Sequence, residues 1–355
     1  MAVELGSLVS EVKETIELDV LAGKTIAIDA YNTIYQFLSI IRQPDGTPLK
    51  DAKGNITSHL SGLFYRSINL LEHGITPVYV FDGMPPMLKV HTIEARMNKR
   101  RQALEEWNKA LSEGLIEEAR QYAMASTSIN KEIVNSAKEL LDYMGIVYIQ
   151  APSEGEAQAA KMTKDGAVYA SASQDYDLFL FGASVVVRNI AISGRRKLPK
   201  KNVYVNVSPE RILLSDLLKK LGISQSQLIW LGMLVGTDFN EGFDRIGPKT
   251  ALKIVKECKS IDEVVQRVSQ LGKSFEVDPK EVEQIFENPE VVEITKEELH
   301  KKITEAKPNK DKIIRFMCDI HGFSEDRVSK FADTLVSIRS KQGQKSILDW
   351  PGSKQ

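Results

Sequence analysis

Seven acidic side chains stand where apolar, strand-like runs of this sequence end or where the following helices begin. They are Asp29, Asp82, Glu154, Glu156, Asp175, Asp177 and Asp238. Carboxylates that meet in one place repel each other and also repel a phosphate, so such a cluster makes chemical sense when divalent cations fill its centre. Two ions can activate a water and stabilise a leaving oxygen without a Ser, Cys or His nucleophile. The pattern predicts a two-metal site for phosphodiester cleavage, with Mg²⁺ favoured by the oxygen-only ligands.

The local sequence around these acids predicts how they are presented. In SQDYD one residue separates Asp175 from Asp177, and in an extended loop both side chains would point the same way. Glu154 and Glu156 stand where a helix begins, and the helix dipole eases the crowding of negative charge there. The alternative for any single acid is a helix cap or a turn, and Glu154 in particular could serve only as an N-cap.

The elements that must position these acids form an alternating β and α pattern. Residues 24–29 and 77–82 are short, β-rich apolar runs that each end in Asp. Helical and strand-like segments then alternate up to a basic loop at 194–201, after which the pattern becomes mostly helical. This order predicts an α/β fold with a central parallel or mixed sheet flanked by helices. Ligands of such sheets bind at the carboxyl ends of the strands.

Composition limits the class of protein. The 355 residues are 42% apolar with a net charge of −1, and the charge is segregated, since residues 95–101, 195–201 and 248–256 are basic islands. Two cysteines are too few for a disulfide framework or a cysteine-type zinc site. The first residues lack the pattern of a signal peptide, and no run of 18 apolar residues occurs. We therefore expect an intracellular protein that is not embedded in a membrane.

Six motifs, read in order, resemble the flap endonuclease branch of the structure-specific 5′ nuclease family, most closely its archaeal form. They are AIDAYNTIYQFL, TSHLSGLFYR, YVFDGMPP, APSEGEAQAA, SQDYDLFLFG and LVGTDFN followed by IGPKTALKIVK. The resemblance implies a PIN-like fold with a helical arch and a Mg²⁺-dependent enzyme, with Mn²⁺ able to substitute. Such an enzyme removes 5′ flaps from branched DNA and leaves a 5′-phosphate, in Okazaki-fragment maturation and long-patch base excision repair, and has 5′ exonuclease activity. A cytoplasmic location follows for an archaeal source, and a nuclear one for a eukaryotic source.

The resemblance also assigns roles to the acids and to two basic residues. It implies that Asp175, Asp177 and Asp238 serve one ion and that the other four acids serve the second. The family's catalytic basic residues at the foot of the arch match Lys89 and Arg96. Their spacing of seven residues is two helical turns, so both should face the same direction and grip the scissile phosphate. A solvated basic helix face is the alternative.

Further positions match family contacts to DNA. Tyr35 corresponds to an aromatic ring stacked on a base beside the cut, for which a core tyrosine is the alternative. Arg42 and Thr57 resemble the region that binds a one-nucleotide 3′ flap, and Arg100 belongs to the basic arch. We expect each of these four residues to contact DNA.

The segment IGPKTALKIVK resembles the second half of a helix-turn-helix motif that binds duplex phosphates and K⁺. Gly247 permits close backbone approach, and Lys249 and Lys253 lie along one helical face. Arg245 stands where the family commonly has glycine, which leaves the potassium site open.

Near the end of the chain, Gln344, Ile347 and Trp350 fit the box by which the family binds the sliding clamp, PCNA. The family's usual pair of aromatics is absent, because Pro351 follows Trp350, and a chance match is the alternative. We expect a monomer when the protein is alone.

The expected organisation is one nuclease domain over residues 1–339 and a flexible tail over 340–355. The domain comprises an N-terminal nuclease region (about 1–125, with the arch at about 83–128), an internal nuclease region (about 129–260) and a helical C-terminal region (about 261–339). Two rival functions remain at this point: a gap or Holliday-junction nuclease of the same fold, and a non-catalytic adaptor between DNA junctions and the clamp.

Overall fold

A mixed seven-stranded sheet runs through the part of the chain that the structure, a computed structural model, describes: residues 3–191, 194–197 and 204–348. The strands are β1 Glu14–Thr15, β2 Thr25–Asp29, β3 Thr76–Phe81, β4 Tyr148–Gln150, β5 Ala170–Ala172, β6 Val185–Arg188, β7 Gly194–Lys197, β8 Tyr204–Val207 and β9 Glu210–Leu213. Their order in the sheet is β1-β9-β6-β5-β2-β3-β4, and β7 and β8 form a separate hairpin. The pairs from β6 to β4 are parallel, whereas β9 is antiparallel to both β6 and β1. The predicted parallel or mixed sheet is confirmed.

Helices flank this sheet on both faces. They are α1 Gly6–Val9, α2 Ala30–Ile40, α3 Ser58–Glu72, α4 Val90–Ser112, α5 Ile116–Ala125, α6 Lys131–Met144, α7 Gly155–Lys164, α8 Asp177–Leu180, α9 Leu214–Leu221, α10 Gln225–Val235, α11 Pro248–Lys256, α12 Ile261–Gln270, α13 Pro279–Glu287, α14 Lys296–Glu305, α15 Lys310–Ile314 and α16 Glu325–Leu348. Short 3₁₀ turns cover Leu18–Leu21 and Met87–Lys89, and a π-helical turn covers Arg315–Ile320. None of the described helices is both long and apolar enough to cross a membrane.

The central strands supply apolar side chains to two cores, one on each face of the sheet. Along β2, Ile26 and Ile28 enter the core shared with α2, α3 and α6, whereas Ala27 enters the core shared with α7, α8 and α10. Successive side chains of a strand point to opposite faces. A parallel strand covered on both faces is therefore apolar throughout, which is why residues 24–29 could be predicted as a central strand.

The region after residue 194 differs from its prediction. Residues 194–197 of the expected basic loop form β7, and Glu210–Leu213, which the pattern assigned to a helix, form β9. The backbone of β9 pairs with β6 on one side and β1 on the other, with Ile212 fully buried. A short apolar run fits a strand as well as a helical turn, and here pairing with the edge of β6 decides between them.

The expected arch is a pair of helices, α4 and α5, that pack against each other. Ala103, Ala110 and Ala119 are buried on these otherwise largely exposed helices. The prediction that this charged segment is helical and contributes little to the main core is confirmed.

Candidate active site

The carboxyl edge of the parallel strands brings acids from several segments to one place. Asp29 is the last residue of β2, Asp82 directly follows β3, and Asp175 is the third residue after β5. β5, β2 and β3 are adjacent and parallel. Their ends therefore lie together at one edge of the sheet, as the apolar runs predicted.

The loop after β4 brings a second group of acids to the same edge. Gly83 donates its backbone N–H to the carbonyl of Ser153 at 2.6 Å. A Cβ on Gly83 would lie 2.2 Å from the carbonyl oxygen of Pro152, so only glycine lets the two loops approach this closely. As a result Asp82 lies beside Glu154, the residue immediately before α7.

Burial and mutual repulsion raise the pKa of most of the acids. Burial, with repulsion from Asp82 and Asp175, raises the pKa of Asp29 to about 8. Burial and the charges of Asp238 and Asp175 likewise raise the pKa of Asp177 to about 7. Both shifts have the direction expected when carboxylates share a dry site.

The same repulsion reaches the acids beside α7. The pKa of Asp82 rises to about 6 through burial and the charge of Glu154. The pKa of Glu156 is raised well above its ordinary value by burial and by Asp175 and Asp177. Because every one of these acids feels the charge of another, the cluster is continuous across the sheet edge.

Two polar side chains bridge the acids. Ser173 Oγ lies 2.9 Å from Glu156 Oε1 and 3.3 Å from Asp29 Oδ2, and accepts the backbone N–H of Asp175 at 3.2 Å. Asn32 donates its backbone N–H to Asp29 Oδ1 at 2.9 Å and its side-chain amide to Asp175 Oδ2 at 3.1 Å. Sequence reasoning missed both residues. The available signals were the position of Asn32 three residues after a helix-capping Asp and of Ser173 two residues before Asp175.

Two cations at the foot of the arch face the cluster. The Lys89 ammonium pairs with Glu154 and lies 3.2 Å from Asp238 Oδ2, and the Arg96 guanidinium pairs with Asp238 as well. Between them Thr92 donates its hydroxyl to the Asp238 carbonyl at 2.9 Å. Although burial opposes ionisation of Asp238, Lys89 and Arg96 lower its pKa below the ordinary value. Both cations reach the same acid and so face the same side of the cluster, whereas their contact with the scissile phosphate stays a prediction.

The donor set fits divalent cations in its chemistry. All seven donors are carboxylates. The five with raised pKa values would gain from added positive charge: Asp29, Asp82, Glu156, Asp175 and Asp177. Lys89 and Arg96 already pair with Glu154 and Asp238. Within residues 3–191, 194–197 and 204–348, however, no group of three Asp, Glu, His or Cys side chains lies close enough together to hold one ion.

The structure corrects the predicted arrangement of Asp175 and Asp177 and decides between the two interpretations of Glu154. Asp175 and Asp177 do not lie side by side in an extended loop, because Asp177 is the first residue of α8 and accepts the backbone N–H of Val3 at 2.8 Å. Leu178 and Phe179, which follow in α8, are fully buried. Glu154 occupies the N-cap position of α7 but makes no capping hydrogen bond, so capping alone does not account for it.

The residues predicted to contact DNA near the arch have different environments. Tyr35 is half-buried on α2, and the Arg100 guanidinium lies 6.0 Å from its ring centroid, so the fold brings these two residues together. Arg42 donates to the carbonyls of Leu38 and Gly46, each at 2.7 Å. Thr57 is only 4% exposed. Contacts of Arg42 and Thr57 with a 3′ flap stay predictions.

The basic face near residue 250 lies on α11. Lys249 and Lys253 are exposed one turn apart, and Gly247 is the N-cap, with open space where a Cβ would stand. Arg245 adopts φ +64°, the left-handed conformation that glycine favours. The backbone therefore keeps the turn expected of a glycine although the side chain is arginine.

The clamp-binding box falls at the limit of the described chain. Gln344 and Ile347 lie in the last turns of α16, and Trp350 lies outside the described residues. The tail was expected to begin at 340, whereas α16 continues to Leu348. Lys, Gln and Leu favour a helix in this stretch, and Gly343 opposes it by only about 1 kcal/mol.

Comparison with known proteins identifies the family. The chain matches the XPG N-terminal domain over residues 1–103 and the XPG I-region over residues 145–238. It is 50% identical over 349 residues to flap endonuclease 1 of Caldivirga maquilingensis, covering 98% of each chain. It is 49% identical over 351 residues to that of Pyrococcus furiosus, covering 99% of each.

Solved structures of related nucleases have the same fold over almost the whole chain. Flap endonuclease-1 from Methanococcus jannaschii superposes with a TM-score of 0.73 at 37% identity, covering 96% of this chain and 99% of that one. The catalytic core of Rad2 in complex with DNA substrate superposes with a TM-score of 0.66 at 25% identity, covering 94% and 100%. The chain therefore belongs to the flap endonuclease 1 family of XPG nucleases.

Proposed function

We propose that this chain is a structure-specific 5′ flap endonuclease, with 5′ exonuclease activity, that hydrolyses a phosphodiester at junctions of single-stranded and double-stranded DNA. The observation that carries the proposal is the continuous acid cluster that faces Lys89 and Arg96 at the foot of α4. The names of relatives at half identity support the substrate. Okazaki-fragment maturation and long-patch base excision repair are the corresponding processes, and the product should carry a 5′-phosphate.

We assign two Mg²⁺ ions, or Mn²⁺ in their place, as the cofactors, because all seven candidate ligands are carboxylates, which hard divalent cations prefer. Asp29, Asp82, Glu154 and Glu156 are assigned to one ion, and Asp175, Asp177 and Asp238 to the other. When bound, such a pair supplies an activated water and positive charge at the leaving oxygen. The protein holds the carboxylates in place through Ser173 and Asn32, and buries them so that competing water is limited.

The two arch cations are suited to hold the scissile phosphate. Lys89 and Arg96 converge on Asp238 from one side of the cluster, so a phosphate there would meet both. A charge-assisted hydrogen bond to phosphate is short and directional. Exchange of a carboxylate partner for a phosphate oxygen would let the same two side chains position the reacting group.

Two surfaces would bind the rest of the substrate. The half-buried Tyr35 ring offers a stacking platform beside the cut, with Arg100 adjacent, and base stacking of this kind contributes roughly 1 to 3 kcal/mol. On α11, Lys249 and Lys253 form an exposed basic face next to the N-terminus at Gly247. Phosphates of the downstream duplex suit this face, and the glycine-like backbone at Arg245 is compatible with a K⁺ site.

The C-terminal box is proposed to bind PCNA. Gln344 and Ile347 are three residues apart near the end of α16, and Trp350 follows after three more. Binding of this segment to the clamp as an extended peptide would require the last turns of α16 to unfold locally.

A single cleavage assay tests the proposed activity. Labelled 5′ flap, four-way junction and plain duplex are each incubated with Mg²⁺ or with EDTA. We expect Mg²⁺-dependent cleavage of the flap at its base. Preferred cutting of the four-way junction would favour a junction nuclease, and binding without cutting would favour a clamp adaptor.

Paired variants test the site. Asp177→Ala should abolish cleavage while leaving most flap binding, because basic surfaces supply the electrostatic affinity. Asp165→Ala is the matched control, since Asp165 is an exposed acid paired with Lys161 at the far end of α7. Near-normal cleavage by Asp177→Ala would refute the assignment of the acids.

A further inference from the structure

Arg188, the last residue of β6, braces the loop that carries two of the acids. Its Nη2 donates to the carbonyl of Gln174 at 3.0 Å, and its Nη1 donates to the hydroxyl of Tyr176. The guanidinium carbon also lies 4.3 Å from the Tyr176 ring centroid. Gln174 and Tyr176 flank Asp175, so one side chain holds the chain on both sides of this acid.

Glu210 on β9 pairs with the guanidinium through the same Nη1 that donates to Tyr176. Glu210 Oε2 lies 3.6 Å from Arg188 Nη1, and Glu210 Oε1 accepts from Lys13 Nζ at 2.7 Å. Arg188 and Glu210 are 19% and 16% exposed in their side chains. The planar fork of arginine can bond in two directions at once, which a lysine ammonium on a flexible stem does less well.

The loop also borders a cleft lined by the N-terminal segment and the start of α11. A cavity of about 520 Å³ lies between the loop and the start of α11, and Asp175, Tyr176 and Pro248 are among its lining residues. Side-chain packing is therefore incomplete where Asp175 and Tyr176 line this cleft.

We propose that Arg188, together with Tyr176, is a positioning residue of the metal centre, which holds residues 173–177 so that Asp175 and Asp177 are presented for ligation. This inference rests on the proposed function, because the ions belong to it. Residues that orient metal ligands from behind typically change metal affinity or activity by about 10-fold to 100-fold when they are replaced. We expect Arg188 to act through metal affinity rather than through DNA binding.

Three variants and one control separate positioning from general stability. Arg188→Gln removes the guanidinium and its contacts with Gln174 and Tyr176. Arg188→Lys keeps the positive charge, and Tyr176→Phe keeps the ring but removes the hydroxyl. Arg211→Gln is the control. Arg211 donates to the Tyr169 hydroxyl at 3.1 Å and pairs with Glu14 on the neighbouring strand. It therefore has a tyrosine and a glutamate as partners, as Arg188 does, but these partners lie outside residues 173–177.

The deciding measurement is Mn²⁺ binding to the DNA-free protein, followed by the electron paramagnetic resonance signal of free Mn²⁺. Arg188→Gln should weaken binding by roughly 10-fold or more. Arg188→Lys and Tyr176→Phe should fall between it and the wild type, and Arg211→Gln should match the wild type. Flap cleavage should shift to higher Mg²⁺ by the same factors, with unchanged flap affinity in EDTA.

The outcomes distinguish a failure of the positioning role from a failure of the proposed function. Wild-type Mn²⁺ affinity in Arg188→Gln, or an equal loss in Arg211→Gln, would overturn the positioning role. If Arg188→Gln does not fold, Tyr176→Phe decides, and wild-type affinity in that variant would overturn the role. Mn²⁺ binding by a wild-type protein that cuts no flap would overturn the proposed function alone, because the metal titration still compares the variants.

Discussion

Replacement of Asp177 by asparagine should stabilise the metal-free protein under the same mildly alkaline conditions in which it abolishes cleavage. Asp177 is 5% exposed, and burial together with the charges of Asp238 and Asp175 raises its pKa to about 7. In the unfolded chain an aspartate titrates near ~3.9. The stability that this acid contributes is therefore fully present below the unfolded value and is lost as the pH rises through about 7.

The size of the effect follows from the two pKa values. The rise to about 7 corresponds to up to about 4 kcal/mol, at ~1.4 kcal/mol per pH unit. Asparagine has nearly the same shape and keeps an oxygen that can accept the Val3 N–H, now at 2.8 Å. The substitution therefore removes the buried charge without opening a cavity.

Urea unfolding in EDTA at about pH 5 and about pH 8 measures this difference. The free energy of unfolding of Asp177→Asn should exceed that of the wild type at the higher pH, and the gap should shrink at the lower. Mg²⁺ should stabilise the wild type more than the variant. Asp165→Asn, at an exposed ion pair with Lys161, should show no such pH dependence. A gap that is equal at both pH values, or a variant less stable than the wild type at the higher one, would refute the reasoning.

Three further predictions concern the turn before α11, a buried histidine and the pH profile. Arg245→Gly should raise the free energy of unfolding by up to about 1 kcal/mol, because φ +64° strains a side chain but not glycine; lower stability in urea would contradict this. Burial lowers the pKa of His59 to about 3, so its ring should stay neutral in NMR titrations down to about pH 5. The free energy of unfolding should fall as the pH drops below about 6.5, where the unfolded chain binds the proton first. An imidazole of the folded protein that titrates near ~6.5 would contradict this prediction. At limiting Mg²⁺, cleavage should rise from neutral to mildly alkaline pH, because protons compete with metal for acids such as Asp29, and a flat profile would count against this competition.

The position of the acids could be predicted because it depends on the chain's strongest signals. β2 and β3 are apolar on both faces. β2 ends in Asp29 and Asp82 follows β3, and adjacent parallel strands must end at one edge of the sheet. The spacing of Lys89 and Arg96 similarly fixed their common direction. These inferences need only the periods of strands and helices.

The contacts that hold the acids could not be predicted, because they join distant segments through side-chain orientation. Asn32 meets Asp175 across 143 residues, and Val3 meets Asp177 across 174. No period relates such pairs. The strand β9 was missed for a related reason, since its identity depends on the unpaired edge of β6 rather than on its own four residues.

Charge balance explains why the acids and the arch belong to one site. The seven carboxylates outnumber the cations that reach them, which include Lys89 and Arg96 at Glu154 and Asp238 and Arg188 near Asp175, so a net negative charge remains when all are ionised. A buried excess of charge is costly, and the raised pKa values of Asp29, Asp82 and Asp177 show protonation as one way to relieve it. Two divalent cations would relieve most of it without protons and would leave Lys89 and Arg96 free to meet a phosphate. The net charge of −1 for the whole chain conceals this local excess, because it averages the cluster with distant basic surfaces such as α11.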